Sequence, residues 1–182
     1  METQWKHAFA DCFFKHNNEP MLTELDQLYS GSAIRLAGPS APYPNMSFEL
    51  TNLSGLVRLE NLRIVVVTHQ LIETIRELKA LPQLTSLFLF NNKITSLDGI
   101  ENLTQLSQLY VQSNKIGSIL EIRNLVNLKE LYINDNSITS LEGLTEEHAD
   151  NLEKFFCRPN GQLKSKELLR VERELGIRCL SV

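Results

Sequence analysis

The residues best suited to chemistry in this chain are its histidines, cysteines and clustered acids, and their spacing does not bring them together. His7, His16, His69 and His148 are scattered and lack metal-ligand spacing. Cys12, Cys157 and Cys179 cannot all pair within one chain, and with no export signal expected, reduced thiols are the default. Cys157 and Cys179 fall at positions expected to face a core, where a thiol is inert rather than nucleophilic. Glu146, Glu147 and Asp150 sit near the start of a short expected helix after Thr145, where acids suit the helix dipole. No glycine loop of the P-loop or dinucleotide type is present. The expectation is a non-catalytic chain with no cofactor and no metal.

The chemistry left is that of recognition, and its first sign is "SLFLFNNKI" at 86–94. In a strand, alternate side chains point to opposite faces, so Leu87 and Leu89 share one face and Phe88 and Phe90 the other. The position of Phe88 recurs as Val66, Phe88, Tyr110, Tyr132 and Phe156. Flanking outward positions read Ile64, Ser86, Gln108, Glu130 and Lys154 on one side and Thr68, Phe90, Gln112, Asn134 and Arg158 on the other. Beside the latter run His69, Asn91, Ser113, Asp135 and Pro159. The face is graded: apolar at one end (Ile64, Val66, Phe88, Phe90), aromatic and amide-rich in the middle, charged at the other end.

The elements that would hold such a face follow from an internal repeat. Leu62, Leu84, Leu106 and Leu128 are spaced by 22 residues, as are Val65, Leu87, Leu109 and Leu131, and Val67, Leu89, Val111 and Ile133. The next column reads Gln70, Asn92, Asn114 and Asn136, and a return column reads Ile75, Leu97, Ile119 and Leu141. A further copy, Leu152, Phe155, Cys157 and Asn160, fits with two inserted residues. Such units cannot bury their apolar face alone, so they stack and share one core. The asparagines are expected inside the turns, satisfying backbone groups of neighbouring coils. Gln70, with its longer side chain, leaves the turn of the first full repeat open to question.

"LTSLFLFNNKI", "LSQLYVQSNKI" and "LKELYINDNSI" resemble the leucine-rich repeat pattern LxxLxLxxNxI. The period resembles the subclass typified by the phosphatase-1 regulatory subunit and by bacterial internalins. The resemblance covers roughly residues 48 to 163 and implies an α/β fold, a right-handed solenoid with a parallel sheet on its concave face. Residues 1–47 are expected as an N-terminal cap with helices, 48–163 as about five repeats, and 164–182 as a C-terminal cap. In the first cap Trp5, Ala8, Phe9, Cys12 and Phe13 recur at helical spacing, a second helix runs from about Met21 to Tyr29, and "AIRLA" at 33–37 reads as a strand before the loop "GPSAPYPN". In the last, Ser165 reads as an N-cap, Leu168, Leu169, Val171 and Leu175 as the apolar residues, Gly176 as the stop, and Ile177–Leu180 as a closing strand.

Together these features point to an intracellular interaction module, cytoplasmic or nuclear, that binds a partner protein through its concave face. The expected contact residues are Ile64, Val66, Phe88, Phe90, Tyr110, Gln112, Glu130, Tyr132, Asn134, Asp135, Phe156 and Arg158. Self-association, or coverage by the chain's own N-terminal segment, competes with that reading. The resemblance also implies a regulatory subunit of a type-1 phosphatase, whose concave aromatic and acidic residues Tyr110, Tyr132, Glu130 and Asp135 would mimic. A scaffold in a ribonucleoprotein particle is a further alternative, acting through a protein bridge. The net charge of −4 argues against direct nucleic-acid binding and against anionic membranes.

Overall fold

The computed structural model describes residues 2–14 and 21–181; His16 lies outside them. Seven strands form one parallel sheet in sequence order: β1 (Ala33–Ala37), β2 (Ile64–Thr68), β3 (Ser86–Phe88), β4 (Gln108–Tyr110), β5 (Glu130–Tyr132), β6 (Lys154–Arg158) and β7 (Leu180–Ser181). The register follows the repeat, Val65 opposite Leu87, Leu87 opposite Leu109, Leu109 opposite Leu131 and Leu131 opposite Phe155. Each chain returns through turns or short 3-10 segments, such as Arg76–Ala80 and Leu120–Asn124, that bury Leu78 and Ile122. One apolar core runs the length of the stack, from Trp5 to Cys179. No described helix is long and apolar enough to cross a membrane.

The turn asparagines explain how three-residue strands hold register. Asn114 Nδ2 donates to the carbonyls of Leu89 and Val111, both at 3.0 Å, and its Oδ1 accepts from Ile94 N–H at 3.0 Å. One amide thus joins two coils, and Asn92 and Asn136 repeat the pattern. Gln70 does the same work on a longer arm: its Oε1 accepts from Leu50 N–H at 2.6 Å and its Nε2 donates to Leu36 O at 3.3 Å. The loop between β1 and its return is held by Asn45, which accepts from Ala37 N–H and donates to Arg35 O, each at 2.7 Å.

At the N-terminal end, α1 (Thr3–Phe9) continues as a π-helical turn over Ala10–Phe14, and α2 spans Leu22–Ser30. The wider π turn rotates the helix face. Phe14 is buried where helical spacing places Phe13, and Phe13 is exposed. At the other end α3 (Glu146–Ala149) precedes β6, and α4 (Ser165–Glu174) follows it. Lys164, not Ser165, is the residue before the first turn of α4, and Leu169 faces out. Gly176 terminates the helix with φ of 71°, a left-handed conformation that favours glycine. Ile177 and Cys179 point inward, but the closing strand begins only at Leu180. The reason is local: Cys179 N–H donates to the Glu172 carboxylate instead of entering the ladder.

His148 shows why a histidine in this chain is structural. It is fully buried in α3, its Nδ1 accepts from Thr145 N–H at 3.2 Å, and its Nε2–H therefore donates to Ile122 O at 3.2 Å. Burial holds its pKa below the ordinary histidine value. The unfolded chain then takes up a proton near pH ~6.5 that the folded chain refuses until lower pH. Stability should fall as pH drops through that interval. Urea midpoints measured from about pH 7.5 to pH 5.5 should decline more steeply for the native chain than for His148→Asn. Equal slopes would remove His148 from the account.

Candidate partner-binding face

Pairing in register stacks the middle residues of the strands into a ladder. Phe88 opposes Tyr110, Tyr110 opposes Tyr132, and Tyr132 opposes Phe156. Ring centroids are 4.8 Å apart with an edge contact at Phe88–Tyr110, then 4.1 Å and 4.6 Å with near-parallel stacking down to Phe156. Val66 continues the row toward the N-terminal end. All five are half-buried, because each ring hides a face of its neighbour. Sequence alternation says that these side chains leave the core, but not that they cover one another. The surface they offer is largely ring edges.

The flanks are less uniform than alternation implies. Ile64 is exposed, Phe90 is half-buried with its ring 5.7 Å from His69 edge-on, and Gln112 is half-buried. Asn134, expected outward and free, is only 8% exposed; Thr68 and Ser86 are buried too. Ser86 is covered because its hydroxyl donates to Gln108 Oε1 on the next coil. Asp135 and Arg158 are exposed, and Arg158 donates to Cys179 O at 3.2 Å.

Glu130 is tied into the ladder on both sides. The Tyr110 hydroxyl donates to its carboxylate, and Lys154 lies 3.0 Å away. The Tyr110 hydrogen bond, and then Lys154, hold the Glu130 carboxyl below its usual pKa; burial, with the same carboxylate, pushes the Tyr110 phenol up. The charge expected to meet a partner here is therefore half spent inside the chain.

Among the described residues, three side-chain atoms buried beneath this face have no hydrogen-bond partner: His69 Nδ1, Gln112 Oε1 and Asn134 Oδ1. Asn91 Nδ2 donates to His69 Nε2 at 3.0 Å, so Nδ1 carries the imidazole proton. His69, Asn91, Ser113 and Asp135 all take φ of 54–56°, which forms one repeated turn along the rim. The alternation of the sequence places these residues on the face but carries no signal for their unpaired atoms.

The three cysteines are buried or half-buried. Burial pushes the Cys12 thiol up to about 11, and contact with the Cys179 thiol, together with burial, pushes Cys157 far up as well. The N-terminal residues described do not cover the ladder. Trp5, Asp11, Gln4, Glu2 and Tyr29 bond to Asn52, Ser47, Thr51 and Asn61, on the return side.

Parallel coils on a 22-residue period, with an aromatic ladder on the sheet face that no described element covers, define a solenoid. The chain has the fold of a leucine-rich repeat solenoid, and a family model described as "Leucine Rich repeats (2 copies)" matches residues 82–125. Its fold is similar to that of an internalin, inlF, from Listeria monocytogenes, at 22% identity and a TM-score of 0.69, over 89% of this chain and 45% of that one. A leucine-rich repeat protein of Leptospira interrogans matches at 23% identity and a TM-score of 0.58, over 81% of this chain and 41% of that one. The chain thus spans less than half the length of either structure. Internalin C2 of Listeria monocytogenes, 16% identical, aligns over 100% of this chain and 93% of its own, with a TM-score of 0.50. No curated protein sequence matches. Leucine-rich repeat folds serve in general as protein-interaction modules.

Proposed function

We propose that the concave face binds a partner protein, with Phe88, Phe90, Tyr110, Tyr132 and Phe156 as anchors and Ile64 and Val66 extending the apolar end. The observation that carries this reading is the ladder itself: four aromatic rungs in register on the one sheet face that no described element covers. Stacking alone accounts for ring against ring, at about 0.5–1.5 kcal/mol per pair. It does not account for Ile64 standing exposed at the apolar end of the same row. Interfaces place aromatic anchors inside a polar rim, and Glu130, Asp135 and Arg158 supply that rim.

The reading is non-catalytic. His69 is bonded to Asn91, His148 is closed in, Cys157 and Cys179 are buried against each other, and Cys12 is half-buried. The phosphatase-regulator alternative draws on Glu130, which already serves Tyr110 and Lys154, and no further observation favours it.

Affinity capture with the native chain and with Phe88→Ala/Tyr110→Ala tests the proposal. The double variant should keep its strand signal by circular dichroism and lose bound partner at least ~10-fold. An unchanged set and amount of captured protein would overturn the concave reading.

A further inference from the structure

We propose that the concave face selects a partner segment with an apolar centre and carboxylates at both ends, which meet Arg35 on β1 and Lys154 and Arg158 on β6. The inference rests on the concave face being the docking surface and adds which chemistry that surface selects. The row of ladder positions runs one coil beyond Val66, where Arg35 stands opposite it in register, exposed. At the other end Lys154 and Arg158 flank Phe156 on the outward side of β6, and both are exposed. An apolar and aromatic row is thus closed by one cation at its first strand and by two near its last. Five strand steps separate β1 from β6, or about 24 Å.

These charges are open to a partner. Arg35 donates to the Tyr43 carbonyl and Arg158 to the Cys179 carbonyl. Neither has a carboxylate within ion-pair distance among the described residues. A guanidinium has five N–H groups, so each keeps donors free. Lys154 is paired with Glu130, yet the pair shows its cation outward: the lysine side chain is 51% exposed and that of Glu130 17%. Glu130 is the single acid in the seven strands, and Asp135 lies beyond β5 on the rim. The strand residues that face a partner are cationic on balance, although the chain carries a net charge of −4.

The rings between the cations point the same way. Ring edges carry the positive part of the aromatic quadrupole and ring faces the negative part. Tyr110 and Tyr132 are each covered by a ring on both sides, so their faces offer no platform for the bases of a single-stranded nucleic acid. A second copy of the chain fits poorly as well. Whichever way a two-fold axis lies in this face, a cationic end of one copy meets a cationic end of the other. The fitting segment carries its two acidic groups about 24 Å apart, which is about seven residues of extended chain or sixteen of helix. Its apolar residues lie between them, over Val66, Phe88 and the tyrosines.

A random-peptide phage library, long enough for either form and selected on the folded protein, tests this, followed by binding isotherms with the enriched peptides. Enriched sequences should carry Asp or Glu on both sides of an apolar run, and changing those acids to Asn or Gln should weaken binding ~10-fold or more. Affinity should fall as salt rises from about 50 to 500 mM. The double variant Arg35→Gln/Arg158→Gln should keep its strand signal by circular dichroism, weaken binding ~10-fold and flatten the salt dependence. A selection that yields no peptide, peptides with basic flanks, or acidic peptides indifferent to salt and to the double variant would overturn the proposal. An oligouridine strand that binds more tightly than the peptides and displaces them would overturn it too. Peptides lost with Phe88→Ala/Tyr110→Ala but indifferent to Arg35→Gln/Arg158→Gln overturn the acidic preference alone and leave the docking reading standing.

Discussion

Replacing Asn114 by alanine should destabilise the protein by about 3–5 kcal/mol, a large part of the ~5–15 kcal/mol that holds a domain together. The side chain looks dispensable by size, but its amide serves four backbone groups. It donates to Leu89 O, Val111 O and Gln112 O, and accepts from Ile94 N–H. These groups lie inside the turn, where strands of three residues leave few other partners. Each group left unpaired costs about 1–3 kcal/mol, and partial relaxation recovers some of the sum. Asn114→Asp should be no milder. The carboxylate keeps the bond from Ile94 N–H but turns an anion toward three carbonyl oxygens. Urea denaturation of the three proteins checks both statements, and a loss under ~1 kcal/mol for either variant would show that the amide is not what joins the coils.

The 22-residue repeat makes most of the sheet legible in the sequence itself. Leu87, Leu109 and Leu131 share a column in sequence and oppose one another in register, because a fixed period forces equivalent residues onto neighbouring strands. Asn92, Asn114 and Asn136 are equally readable: a polar residue in an apolar periodic frame has to be satisfied locally. What the sequence hides depends on side-chain reach and on neighbours from other coils. Gln70 breaks the asparagine column, yet with one more methylene it still bonds Leu36 and Leu50 on the neighbouring coil. The π turn that exchanges Phe13 for Phe14 adds no residue type that announces it.

The face is legible as a set of residues and not as a surface. Alternation sends Asn134, Thr68 and Ser86 away from the core, but larger neighbours cover them. Spacing presents Phe88, Tyr110, Tyr132 and Phe156 as separate anchors, and in the fold they form a single stacked body. That matters for any test by mutation, because removing Tyr110 or Tyr132 also frees the faces of two other rings. Binding losses at this ladder should therefore be non-additive.

The second large effect concerns the end of the stack. Trp5→Ala should cost about 3–5 kcal/mol, since the indole is fully buried and its Nε1–H donates to Asn52 Oδ1 at 3.1 Å. Its ring lies so close to the chain that a Cβ on Gly55 would stand 2.1 Å from Trp5 Cδ2. Gly55→Ala alone should thus be strongly destabilising, by overpacking rather than by backbone preference. In the Trp5→Ala background the same methyl enters space the indole has left, and its cost should drop by about 1–3 kcal/mol. The loss should also be local, because coils of a solenoid contact only their neighbours. Hydrogen exchange should accelerate in β1 and β2 at low denaturant while the β4 and β5 amides keep their protection. Additive costs would separate Trp5 from Gly55, and equal acceleration in every strand would mean that the stack opens as one unit, with Trp5 closing the whole core rather than its first coils.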